Sequence, residues 1–101
     1  MNALALYHRF VVIIDQACEA RDIFAVPKAA ETTGLTGQEE QRGMGQRWNY
    51  SCLDDQGQTV LVHVRWWDQS QAFSIRPDMH VMSVELKGNV SLMRHERRYE
   101  E

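Results

Sequence analysis

The sequence has 101 residues, of which 44% are hydrophobic and 25% charged, with a net charge of −3 at pH 7. That length holds one domain around one core, and the composition excludes wholesale disorder. The mild negative charge excludes a mimic of DNA charge, and it has the wrong sign for a protein that coats nucleic acid non-specifically.

Asn2 can cap a helix that starts near Ala3. From there ALALYHRFVVIIDQACEARD carries apolar residues at 6, 10, 13, 14 and 17, which is helical spacing. Leu4, Tyr7, Val11 and Cys18 widen that stripe, and His8, Arg9, Asp15, Gln16 and Glu19 form the polar face, broken by Val12. The run Val11 to Ile14 is β-branched and would suit a strand, but the length and the 3.6 period favour a core-facing helix. The apolar stretch FVVII is five residues long and Asp15 follows it at once, so no secretory signal is expected. Nothing approaches the roughly 18 apolar residues of a membrane span.

Residues 22–46 are the least regular. Pro27 followed by KAAETTG predicts one or two helical turns ending at Gly34. Thr36 followed by QEEQ predicts a further capped turn before Gly43. With four glycines and few large apolar residues, 34–46 is expected to be a mobile connection.

Residues 47–96 alternate with period 2 and predict a meander of antiparallel strands. The expected core sets are Trp48, Tyr50, Cys52; Val60, Val62, Val64, Trp66; Phe73, Ile75; Met82, Val84, Leu86; and Val90, Leu92. Turn signals DDQGQ, WDQS, PDMH and KGN separate them. The charged tail HERRYEE is expected to fray. The fold class is therefore α+β, one domain over 1–101. An N-terminal helix packs on one face of a four- to five-stranded antiparallel meander, with an irregular or short-helical connection at about 22–46.

Matching core residue to core residue constrains the register. Cys52 pairs with Val60, Tyr50 with Val62 and Trp48 with Val64. Val64 then pairs with Phe73, Ile75 with Met82, and Val84 with Leu92. The opposite face acquires three expected rows. The first is Arg47, Arg65, Ala72, Glu85 and Ser91. The second is Asn49, His63, Ser74, Ser83 and Met93. The third is Ser51, Leu61, Arg76, Val81 and His95. Arg47 opposite Arg65 is unfavourable in isolation and points to an anionic partner, a carboxylate or a phosphate. Nine of the 11 basic residues are Arg, and Arg favours bidentate contacts to such groups.

No catalytic constellation is expected. His63 facing Ser74 lacks a carboxylate to orient it and an oxyanion hole. No metal site is expected either, because the histidines at 8, 63, 80 and 95 are scattered. There is no GxGxxG and no P-loop, and no cofactor is implied. Cys18 and Cys52 form no CxxC pair and are expected as buried thiols in a reducing cytoplasm. Trp67 must point away from the core if its strand is regular, and Trp and Arg dominate interface hot spots.

The expectation is a small non-enzymatic module that binds another protein and regulates or inhibits it. Toxin immunity proteins and phage anti-defence proteins, anti-CRISPR proteins included, play roles of this type. The expected contact set is Arg47, Asn49, His63, Arg65, Trp67 and Arg76. The alternatives are binding of RNA or single-stranded DNA through the same face, and a phosphodiesterase built on His63. Two edge strands and a broadly apolar helix also predict a homodimer.

Overall fold

A computed structural model describes residues 2–42, 45–67, 79–88 and 92–100; the side chains of 38–42, 45 and 67 lie outside that description. Two helices, α1 (Ala3–Ala20) and α2 (Ala25–Thr32), precede five strands: β1 (Thr36–Arg42), β2 (Gly45–Leu53), β3 (Thr59–Trp67), β4 (Met79–Lys87) and β5 (Leu92–Glu100). The strands form one antiparallel sheet in the order β1-β2-β3-β4-β5, and the helices cover one face of it. The expected α+β meander is what the chain forms.

Helix α1 starts where the sequence offers a cap: the Asn2 Oδ1 accepts the Ala5 N–H at 3.2 Å. A second acceptor comes from the β2–β3 turn. Asp54 Oδ2 takes the Ala3 N–H at 3.2 Å, and its other oxygen takes the N–H groups of Gln56 and Gln58 at 2.9 and 2.8 Å. One carboxylate thus ties the turn to the helix N-terminus, where negative charge is favoured. The hydrogen bond from Gln58 first, then those from Ala3 and Gln56, hold Asp54 below the usual carboxylate range. Arg21, in the left-handed conformation (φ 53°), ends the helix.

The core stripe of α1 is Ala3, Leu6, Tyr7, Phe10, Ile14 and Ala17, with Ile13 half-buried. It packs chiefly on β4, then on β5 and β3. Beneath it lie Val60, Val62 and Val64 of β3 and Met82, Val84 and Leu86 of β4, all essentially inaccessible. Each such side chain contributes roughly 1.5–3 kcal/mol by leaving water. In α2, Pro27 sits in the first turn, where its missing N–H leaves no bond unmade. Gly34, at φ 79°, turns the chain after the helix, as its place in the sequence predicts.

Four expectations are corrected. Thr36–Arg42 is not a capped turn in a mobile connection but an edge strand, paired with β2 from Thr36↔Ser51 to Arg42↔Gly45. Its sequence, TGQEEQR, has no apolar alternation to announce it. Gly37 has a packing role, because the Tyr50 ring lies where a Cβ at 37 would stand. Second, β3 pairs directly with β4 (Val64↔Met82, Val62↔Val84, Val60↔Leu86), so no strand at 73–75 intervenes. Residues 73–75, with the strand expected there, lie outside the described residues. Third, the tail does not fray: Leu92–Glu100 is β5, in register Lys87↔Leu92 and Val84↔His95. Leu92, expected in the core, is 64% exposed. Fourth, Cys18 and Cys52 are half-buried rather than buried, and no disulfide joins them.

The inner side of β5 is polar, and α1 answers it. Asp15 Oδ1 accepts from His95 Nε2 at 2.7 Å and from Arg97 Nη1 at 2.9 Å. The Tyr99 hydroxyl accepts the Ile23 N–H at 3.0 Å, and its ring stacks on His80. His95, expected on the outer face, therefore belongs to the helix-covered one.

Candidate functional site on the outer face of the sheet

The face away from the helices is built by the odd positions of β2, β3 and β4 and the even positions of β5. Register sets three rows. One runs Arg47, Arg65, Val81, Arg98; the next runs Asn49, His63, Ser83, Glu96; the third runs Ser51, Leu61, Glu85, Arg94. The first two members of each row are the expected ones. Beyond β3 Ser83 keeps its expected place in the row of Asn49 and His63, but the other expected members are replaced, because β4 takes the place assigned to residues 72–76 and β5 runs further along β4. Glu40 stands in register with Arg47 at the β1 edge.

These rows enclose a concavity of about 250 Å³ lined by Arg47, Asn49, His63, Arg65, Val81, Ser83, Arg94 and Glu96, with Val64. A second concavity of about 260 Å³, with Thr36, Ser51 and Leu61, shares Asn49 and His63 with the first. The two form one trough across the hairpin of β2 and β3, with His63 at its middle.

Charge within the trough falls into two groups. On the β5 side the cations are held. Glu96 Oε1 accepts from Arg94 Nη2 at 2.8 Å and Glu96 Oε2 from Arg98 Nη2 at 2.6 Å. Arg94 Nε also lies 3.2 Å from Glu85 Oε1. The Arg98 hydrogen bond, then the charges of Arg94, Arg98 and Arg65, hold the Glu96 carboxyl below its usual range. On the β2–β3 side Arg47 and Arg65 stand directly opposite each other. Neither closes an ion pair with a carboxylate among the described residues. Like charges so placed destabilise a strand pair.

His63 is oriented by its neighbour in register: its Nδ1 lies 2.7 Å from Asn49 Oδ1. A carbonyl oxygen accepts and cannot donate, so Nδ1 donates to it, and Nε2 is the ring nitrogen not used in this contact. The sequence offered His63 no orienting carboxylate, and an amide takes that place. Among the described residues no three His, Cys, Asp or Glu side chains converge as metal ligands would.

Of the six expected contact residues, the structure brings Arg47, Asn49, His63 and Arg65 together around one concavity. Trp67 ends β3 in register with Gly45, on the outer parity of the strand. Arg76 lies outside the described residues. Ser83, Arg94, Glu96 and Arg98 were not expected as one group. Glu96 and Arg98 lie in the supposed tail and Arg94 directly precedes it; there alternate charges mark a strand without an apolar face. Comparison with protein-family models, with curated proteins and with solved structures finds no match to this chain. No helix among the described residues is long and apolar enough to cross a membrane.

Proposed function

We propose that the chain is a non-enzymatic binding module whose outer sheet face seats an acidic segment of a partner protein, and that this contact regulates or inhibits the partner. The observation that carries the reading is the Arg47–Arg65 pair: two arginines directly opposite each other in register, both lining one concavity, with no ion pair to either among the described residues. An incoming carboxylate relieves that repulsion, and the forked guanidinium suits it. Arg94 and Arg98 are already held by Glu85 and Glu96, so they frame the seat and need not be reoriented.

A protein partner is favoured over single-stranded nucleic acid by where the aromatics fall. Sheet faces that bind bases stack them on exposed rings. Here Trp48, Tyr50, Trp66 and Tyr99 all take the helix-covered parity of their strands, and among the Trp, Tyr and Phe residues of the described strands Trp67 alone, at the end of β3, takes the outer one.

The test is affinity capture from the native host with the full chain and with Arg65→Glu, followed by reconstitution with the purified partner. The expected result is a partner that binds the wild type, loses at least tenfold in affinity to the variant, and binds more weakly as salt rises. A face that retains no partner sensitive to Arg65→Glu overturns the reading. Salt-dependent binding of oligonucleotides lost in Arg65→Ala would favour the nucleic-acid alternative. Turnover of a phosphodiester lost in His63→Ala would favour the hydrolytic one.

A further inference from the structure

We propose that the corner formed by Arg47, Arg65 and His63 is a proton-linked carboxylate seat, in which the partner's Asp or Glu side chain is gripped by both guanidinium groups and by a protonated His63 Nε2. This rests on the reading of the outer face as the binding surface and adds the chemistry of its centre.

The argument starts from the tautomer. Asn49 Oδ1 takes the Nδ1 proton of His63 at 2.7 Å, which fixes the ring and assigns Nδ1–H to both charge states. When the ring is neutral, Nε2 presents a lone pair to the trough and repels a carboxylate. When it is protonated, Nε2 becomes a third donor beside two arginines. A ligand that binds the protonated state better must take up a proton on binding. Affinity therefore rises as the solution becomes more acidic.

The surroundings of His63 leave that role to the ligand. Across β2 lie Asn49, with Arg47 and Ser51 diagonal to it; across β4 lies Ser83, with Val81 and Glu85 diagonal. Along its own strand the same-face neighbours are Leu61 and Arg65. The next carboxylate in its row, Glu96 on β5, has both oxygens engaged by Arg94 and Arg98. No carboxylate stands in register beside the ring on β2 or β4, so a carboxylate arriving from outside supplies the counter-charge.

The experiment uses the full chain and a fluorescein-labelled hexaglutamate peptide as probe, read by anisotropy at pH 6 and pH 8 at fixed ionic strength. The expected result is binding about tenfold tighter at pH 6, the factor that one charge-assisted hydrogen bond supplies. His63→Gln should flatten that dependence, and Arg65→Gln should weaken binding at both pH values. Equal affinities at the two pH values, or a dependence that survives His63→Gln, overturns the proposal. A measurement on the wild type needs no variant to fold: ¹⁵N NMR of the imidazole should show Nδ1 protonated in the neutral ring, and a neutral ring protonated at Nε2 would overturn it. The two readings fail differently. If capture of the protein partner depends on Arg65 but not on pH, the binding face stands and the proton linkage falls. If nothing depends on Arg65, both fall.

Discussion

The three central strands and the two edge strands of this sheet are held by different physics. In β3 and β4 the inward positions 60–64 and 82–86 are valines, methionine and leucine almost wholly shut off from water, closed over by Phe10 and Ile14 of α1, and Trp66 pairs with the buried His80 at one end. In β1 and β5 the inward positions are Gly37, Met93, His95, Arg97 and Tyr99, with Glu39 and Gln41 in register beside Trp48 and Gln46. The centre is fastened by burial, which is non-directional and large. The edges are fastened by backbone ladders and by individual polar contacts such as Asp15 with His95 and Arg97. A polar inward face is tolerable at an edge because it meets the margin of a helix and not the middle of the core.

That contrast can be broken most forcefully at the centre. Met82→Ala empties a site with no solvent access and should cost about 2–5 kcal/mol in urea unfolding. Leu92→Ala, at the exposed edge, should cost less than about 0.5 kcal/mol. Gly37→Ala comes next: its methyl group must displace the Tyr50 ring, and overpacking of this kind costs about 1–3 kcal/mol. The measurement is the urea midpoint, with Tyr50→Ala in the background of Gly37→Ala expected to remove most of the difference between Gly and Ala at that position. A smaller effect, about 1–2 kcal/mol, is expected for Tyr99→Phe, which leaves the Ile23 N–H without its acceptor.

The edge also has a pH signature that the apolar centre lacks. Hydrogen bonding to His95 first, then the charges of His95 and Arg97 and the Arg97 hydrogen bond, hold Asp15 below its ordinary value of 3.8. A depressed carboxyl binds protons more weakly in the folded state than in the unfolded one. Its contribution is therefore complete above the ordinary value and is lost as pH falls through the lower folded value. Acid titration followed by circular dichroism should show stability falling below about pH 4, with a shallower fall in Asp15→Asn. The smallest stability effect belongs to the outer face: Arg65→Ala should move the urea midpoint by less than about 0.5 kcal/mol, in the stabilising direction if any, while abolishing partner binding.

The same division decides what could be read from the sequence. Between β2 and β3 the alternation is strong on both sides of a turn marked by Asp54 and Gly57, and the pairs Cys52–Val60, Tyr50–Val62 and Trp48–Val64 are legible to the residue. Arg47, Asn49, His63 and Arg65 inherit that accuracy, because they are the other parity of the same two strands. The inward set of β4 was equally clear from Met82, Val84 and Leu86, yet its partner was misassigned. Phe73 and Ile75 alternate well enough to resemble a strand, and periodicity cannot say which strands are neighbours. Strands β1 and β5 were illegible because their inward positions mix glycine, charge, amide and imidazole, with Met93 and Tyr99 the only large apolar side chains among them. A two-residue period becomes visible only when one face must be apolar. Half of the charge framework of the trough, Arg94, Glu96 and Arg98, was lost with β5.

The contacts between α1 and β5 join residues some 80 positions apart, from Asp15 with Arg97 to Cys18 with the Arg98 carbonyl. The hairpins of a meander close locally and soon after their residues emerge from a ribosome. Helix α1 emerges before all five strands, but the strand that meets its polar margin emerges after the other four. The nascent chain therefore carries an amphipathic helix whose seat is incomplete until residue 100 has cleared the exit tunnel. A stop codon at position 92 spares the buried core side chains of the described residues but removes Tyr99, which packs against that core, and leaves the helix without the strand at its polar margin.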